Sequence, residues 1–260
     1  MFGSYLFFVA VCSLSILLAI AGLCIVRRTV SLETLMNHHD VAAAMLSIVG
    51  TLYAVVLGLV VVGSLTKFEE ARTAVEHEAN CLRDIFRLSS ALPDKLSKVV
   101  QGHCFDYATT VTDEEWALME TGDHSKKADK ILEAMGDEVI HFHPNTSGES
   151  NVQQSLLAQI TEIDDSRAAR TVLSSPAFDP IVWSVLIFGA VILVVFTYFF
   201  GVENFRMQIL MTVCVTTILA INMVIVAMFA YPYSGDVKVR PLAFQVDAKF
   251  FQREIAKQPQ

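Results

Sequence analysis

The chain has 260 residues, of which 53% are hydrophobic and only 18% charged, against about 25% charged in an ordinary soluble domain. That balance excludes a disordered chain and argues against a soluble globular one. The formal net charge is −8, and residues 66–179 hold 11 Lys/Arg against 21 Asp/Glu, so the acidity belongs to one polar segment that lacks the basic face nucleic-acid binding requires.

A helix needs about 20 apolar residues to cross the hydrocarbon core, and four segments qualify. The first covers residues 4–26 and is closed by Arg27 and Arg28. Residues 1–5 carry no Lys or Arg, and the apolar run outlasts a signal-peptide core, so it reads as a retained membrane helix. The short connection that follows ends in His38-His39-Asp40 at the mouth of the second span. Two readings stand there: a polar mouth holding a metal or a proton, or an interfacial helix start in which Asp40 caps the helix and complements its dipole.

The second span covers residues 41–65. One of its faces carries small or hydroxyl residues, namely Ser47, Gly50, Thr51, Ala54 and Gly58, with Gly63 beyond. Small residues let helices approach closely. The same face, repeated around an axis, would line a narrow apolar pore. Apolar positions then continue at Phe68, Ala71, Val75, Ala79, Leu82 and Phe86 in steps of three and four, the stripe of one helix face. No Pro or Gly separates Gly63 from Pro93, so the second span is expected to run on as one long helix.

The polar segment between residues 66 and 179 is too long to be structureless. Its pattern predicts a helix over 94–119 with Leu96, Val99, Val100, Cys104, Tyr107 and Val111 on one face, and another over 125–138. A loop follows over 141–151, marked by Pro144, Asn145 and Gly148, and then a helix over 152–173 with Leu156, Ile160 and Ile163 inward. Asp113-Glu114-Glu115-Trp116 reads either as a solvated helix segment anchored by Trp116 or as an acidic ring near a mouth. Arg167 and Arg170, at i and i+3, pair with carboxylates such as Glu69, Glu70, Glu76 or Glu78, or else line an anion-attracting vestibule. His141 and His143 read as part of a solvated loop.

The third span covers residues 180–201, with Pro180 suited to a helix start, and the fourth covers 207–231. Five residues separate them, so they form a hairpin. None of the four spans contains Asp, Glu, Lys, Arg or His, and each must be helical, because lipid offers no partner for open backbone groups. Thr212, Thr216 and Asn222 are polar at membrane depth, where such groups face protein or water. Residues 232–260 read as a polar C-terminal tail.

The expected architecture is therefore all-α: a membrane hairpin over 1–65, an acidic helical extramembrane domain over 66–179, a second membrane hairpin over 180–231, and the tail. Four spans place both termini and the large domain on one side. Basic residues near span ends favour the cytoplasm for that side, while the Arg27-Arg28 pair pulls the other way. All five cysteines read as free thiols, with a Cys81–Cys104 bridge as the minor alternative. No zinc, nucleotide or nucleophile-elbow motif is present, so neither an enzyme nor a cofactor nor a metal is expected.

Several strings belong together. Asn37-His38-His39-Asp40-Val41-Ala42 leads to Val49-Gly50-Thr51-Leu52-Tyr53-Ala54, then to Glu76-His77-Glu78-Ala79-Asn80 and Asp113-Glu114-Glu115-Trp116. Arg167-Ala168-Ala169-Arg170 precedes Pro180-Ile181-Val182-Trp183, and Tyr198-Phe199-Phe200-Gly201-Val202-Glu203-Asn204 and Tyr231-Pro232-Tyr233-Ser234-Gly235-Asp236 complete the set. Over about residues 37–245 the chain resembles the bestrophin-like domain membrane proteins of bacteria, a family without a settled function. Two strings depart from that family's pattern. Its His-Asn-Asp is His38-His39-Asp40 here, and its Asp-Arg-Pro-Phe-Ser-Gly is replaced by a stretch with Tyr231 and no arginine. The resemblance implies a likeness to bestrophins, which are pentameric anion channels with four spans per subunit and a large cytosolic helical part. It thus implies a homo-oligomeric ion channel in the bacterial inner membrane, with the lipid bilayer and inorganic ions as partners. The competing expectation is a non-conducting membrane scaffold or sensor whose acidic domain binds a partner protein.

Overall fold

The computed structural model describes residues 2–175 and 177–258. Met1, Pro176 and residues 259–260, which fall within the predicted segments, lie outside them. Every regular element among the described residues is a helix. The chain divides into two units, residues 1–66 with 176–230 and residues 67–175 with 231–260.

Among the described residues, the first unit holds four helices long and apolar enough to cross a membrane. Helix α1 spans Phe2–Thr29, with Arg27 and Arg28 in its last turn, where cations complement the helix dipole. A short helix α2, Leu32–Asn37, occupies the connection and is capped by Ser31, whose hydroxyl accepts from the Thr34 amide. Helix α3, His39–Leu88, is unbroken over 50 residues and rises about 75 Å along its axis. The long-helix expectation thus holds, and α3 contributes its N-terminal part to the first unit and its C-terminal part to the second.

The third and fourth spans are named here α8, Pro180–Tyr198, and α9, Phe205–Phe229. Pro180 opens α8, where its missing N–H is no loss. Asn204 caps α9 by accepting from the Arg206 amide at 3.0 Å. Helix α8 stops three residues short of the predicted end because the chain turns at Gly201 against α2. A Cβ on Gly201 would fall 2.5 Å from the Met36 nitrogen, so only glycine fits. Tyr53 and Leu57 of α3 pack with Leu186 and Leu193 of α8 and Val226 of α9.

The second unit encloses one core. The α3 stripe Ala71, Val75, Ala79, Leu82 and Phe86 is buried, as its spacing predicts. Helix α4, Asp94–Thr110, passes at Val111–Glu115 into a π-helical turn and then into α5, Trp116–Met119. Val100, Cys104, Tyr107 and Val111 face the core, whereas Val99 is partly exposed. Helix α6, Lys126–Ile140, begins at a Ser125 cap.

Two expectations need correction here. Helix α7, Ser147–Leu173, starts five residues earlier than expected, so 147–151 is helix and not loop. The Thr146 hydroxyl accepts from the Glu149 amide at 3.1 Å, and the Glu149 carboxylate reaches back to the Asn145 amide at 2.6 Å. This reciprocal capping outweighs the loop preference of Gly148. The supposed polar tail is likewise ordered. It forms helix α10, Leu242–Ile255, which packs on α4 and buries Phe244 and Phe251. Phe251 stacks on Phe86 at 4.4 Å. Burying each phenylalanine contributes about 1.5–3 kcal/mol, enough to hold a short helix that would be marginal alone.

Candidate functional site

On α3 the predicted small-residue face divides. Ser47, Thr51, Ala54 and Gly58 are exposed, while Gly50 is half-buried with a nearest neighbour atom in Leu193. The opposite face, through Leu46, Val49, Tyr53, Leu57 and Val60, packs into the bundle of its own unit. Helix α3 therefore turns Ser47, Thr51, Ala54 and Gly58 away from the other spans, together with Ile48, Leu52, Val55, Leu59 and Val62, each more than half exposed. The Thr51 hydroxyl donates to the Ser47 carbonyl at 2.8 Å, so it carries its own hydrogen bond along an otherwise apolar face.

At the start of α3, His38 and Asp40 are exposed, and the half-buried His39 meets Phe200 edge-on at 5.2 Å. Asp40 lies in the first turn, where it favours the dipole. Among the described residues no group of three metal-ligating side chains converges, and all five cysteines are free.

In α9, Thr212 and Thr216 are buried and Asn222 is half-buried. Thr212 meets Thr197 of α8 at 3.2 Å. Asn222 donates to the Ile218 carbonyl of its own helix at 2.9 Å, while the Thr216 hydroxyl finds no partner among the described residues. A polar residue of larger consequence was not anticipated. Gln208 is buried, accepts from Arg27 Nε at 2.7 Å, and donates to the carbonyls of Tyr198 and Phe200. Arg27 also reaches the Val202 carbonyl. One side chain thus satisfies backbone groups freed at the end of α8 and ties them to α1. The signal was a glutamine one turn into α9, at the start of an uncharged span.

In the second unit Arg167 and Arg170 are both buried. Arg170, Glu78, Glu115 and Tyr107 are all 0% exposed. Arg170 grips Glu78 with two nitrogens, at 2.7 and 3.0 Å, and Glu115 at 2.6 Å. Arg167 bonds Glu115 at 2.8 Å, Asp129 at 2.7 Å and the Ser125 carbonyl at 3.0 Å. The Tyr107 hydroxyl donates to Glu78 at 2.7 Å. Of the expected carboxylate partners only Glu78 takes part, while Glu76 pairs with Arg72 on the surface of α3.

The network joins α3, α4, the π turn, α6 and α7. Its electrostatics follow from burial. Desolvation opposes the charge on Arg170, but Glu78 and Glu115 outweigh it and hold the guanidinium above its ordinary pKa. Desolvation, reinforced by Glu78, pushes the Tyr107 hydroxyl well up. Tyr107 therefore stays a neutral donor, and the arginines stay charged.

The Asp113–Trp116 string is thus split between environments. Glu115 is buried in the network, and Glu114 meets the Ser125 hydroxyl and Lys127 near the surface. Trp116 donates to the Val239 carbonyl at 3.1 Å and lies edge-on to Tyr233. Trp116 is buried there and anchors the packing. Tyr233, from the string that departs from the family pattern, is fully buried and donates to the Ala71 carbonyl at 3.1 Å. The turn after it needs Gly235, whose φ is +81°.

These features describe a helical membrane protein with four spans and a separate helical unit. Residues 13–244 match the family model described as Bestrophin-like domain, and the chain belongs to that family. Among solved structures it is similar to a bacterial bestrophin homolog from Klebsiella pneumoniae determined by zinc phasing, at 13% identity and a TM-score of 0.71, covering 96% of this chain and 99% of that one. Single-site variants of that homolog give the same picture, one at 14% identity with a TM-score of 0.69, again covering 96% and 99%. At such identity the likeness concerns the fold. Among curated proteins none matches the sequence.

Proposed function

We propose that the chain is one subunit of a cyclic homo-oligomeric ion channel of the bestrophin kind, with the membrane part of α3 lining the axis. The observation that carries this reading is the outward stripe of Ser47, Thr51, Ala54 and Gly58 on a helix whose other face is committed to its own bundle. Copies of that stripe around an axis would leave a narrow passage with hydroxyls and no fixed charge. Such a passage controls ions by width and dewetting, not by charged rings. Bestrophins are pentamers, and five copies are proposed here by analogy. With no acid or base in residues 4–26, 41–65, 180–201 and 207–231, conduction is passive, because proton-coupled transport uses such groups. The bacterial inner membrane is taken by analogy with the family, and the count of basic residues near span ends supports the cytoplasm for the acidic unit.

The test is reconstitution of purified protein into liposomes, with anion and cation flux measured separately and the subunit number read by native mass spectrometry. A ring that passes ions supports the reading; a ring that passes none sinks it and favours a scaffold. That second reading draws on the acidic composition of residues 66–179, which suits a basic protein partner.

A further inference from the structure

Two surfaces of the second unit remain unused by the fold and by the proposed pore. The first is a groove of about 430 Å³ between α6 and α7. Its floor is apolar, from Leu132, Leu157 and Ile160, and Ile140 stands at its rim with 59% exposure. Asp129, Glu133 and Asp137 follow one another at intervals of four along α6, and Asp164 faces them from α7, so one stripe of each helix makes the groove acidic. The arginine at its end, Arg167, is already committed to Glu115 and Asp129.

The second surface is the outer face of α10. Its inner face is spent on Phe244, Asp247 and Phe251. Outward, Leu242 and Val246 are 59% and 58% exposed, and Lys249 and Arg253 continue the same stripe at i+7 and i+11, both exposed. Neither cation makes an ion pair among the described residues. Two apolar residues followed by two cations match an apolar floor ringed by carboxylates. The two surfaces belong to different helices of one unit: α10 packs on α4, and α6 packs on α4 and α7.

We infer that the α6–α7 groove of one subunit receives the outer face of α10 from a second copy of this chain. The inference rests on the oligomeric part of the proposed function. A contact between two different patches of identical subunits is heterologous, and such contacts build rings where the rotation between subunits closes. The apolar residues supply area, and the opposed charges set register and orientation. A second copy is favoured over an unrelated cationic peptide because the complement of the groove is present on the chain itself, at equal concentration.

The experiment uses the full-length protein in nanodiscs. In a background with Cys12, Cys24, Cys81, Cys104 and Cys214 replaced, Asp137→Cys is combined with Lys249→Cys and the protein is mildly oxidised. The expected result is a ladder of linked subunits ending at the size of the ring, with no ladder from either single variant. Glu133→Lys with Asp137→Lys should weaken association roughly tenfold, and adding Lys249→Glu with Arg253→Glu should restore it. An intact ring without cross-links overturns this interface and leaves the oligomer standing. The same holds if the α10 reversals change only binding to anionic liposomes. A monomer by native mass spectrometry overturns the oligomer itself.

Discussion

The ring of Tyr53 lies against Gly189, and its hydroxyl donates to the Leu186 carbonyl at 2.9 Å. A Cβ at position 189 would come within 2.5 Å of two ring carbons. The aromatic side chain of α3 therefore fills the space a larger residue would occupy on α8. In lipid, where no hydrophobic effect drives helices together, this close packing is what holds α3 to its neighbour. Gly189→Ala should force the ring aside and cost about 1–3 kcal/mol. A lowered melting temperature by detergent-solubilised fluorescence chromatography would show it, and Tyr53→Leu should relieve part of the loss in the double variant.

Arg170 should tolerate no substitution that removes its charge. Arg170→Met leaves Glu78 and Glu115 buried with their shared cation gone, at a cost of about 3–5 kcal/mol. Arg170→Lys keeps the charge but not the two-pronged grip on Glu78, and should fall between. Limited proteolysis of the folded protein at fixed temperature would rank the three. Equal resistance in all of them would contradict the role assigned to the network.

Gln208→Leu should destabilise the first unit by about 1–3 kcal/mol, because Arg27 and two carbonyls lose partners in a buried place. Gln208→Glu should be milder, since it still accepts from Arg27. Thermal melts of the purified variants would separate the two.

Burial lifts the Asp247 carboxyl above the usual carboxylate range against the opposing pull of Arg83, its ion-pair partner. The folded chain therefore takes up this proton at higher pH than the unfolded chain. The resulting stabilisation is complete below the unfolded pKa, about 3.9, and is lost as pH rises through the lifted value. Asp247→Asn should flatten that part of the stability profile. Melting temperatures measured upward from about pH 4 for both proteins would give the difference, and parallel profiles would refute it.

Thr51→Phe should reduce ion flux at least tenfold while leaving assembly unchanged, because it places a ring on the face proposed to line the axis. Ile218→Phe, on the exposed side of α9, should leave flux unaltered. Liposome flux with matched protein amounts is the readout, and equal flux in both variants would move the path away from α3.

Much of this architecture could be read from the residues because it depends on blocks and periods. Four uncharged apolar runs mark the spans, and the stripe from Phe68 to Phe86 marks the continuation of α3. Helix α10 escaped notice because Gln245, Asp247 and Lys249 dilute its apolar content, although Phe244, Ala248, Phe251 and Ile255 recur at helical intervals. The early start of α7 was hidden behind Gly148, though Thr146 and Glu149 already spelled a capping box. Glu78 stood among four candidate partners of Arg167 and Arg170, with Glu69, Glu70 and Glu76, because all four lie on the predicted continuation of α3. Glu115 was not, because the π turn at Val111–Glu115 shifts the helical phase by a residue, and periodicity carries no mark of that shift. Gln208 shows the same limit: its carbonyl partners are the last residue of α8, Tyr198, and Phe200 in the loop that turns at Gly201.

The docking of Phe251 against Phe86 and of Phe244 against Tyr107 and Trp116 joins residues more than 120 positions apart, on opposite sides of the second hairpin in chain order. During synthesis this core stays incomplete until α8 and α9 have left the ribosome and the last thirty or so residues have followed. Until then the acidic unit lacks the aromatic side chains of α10 that fill its core. Truncation near the carboxyl end should accordingly be read by quality-control proteases as a failure of the whole unit and not as the loss of a tail.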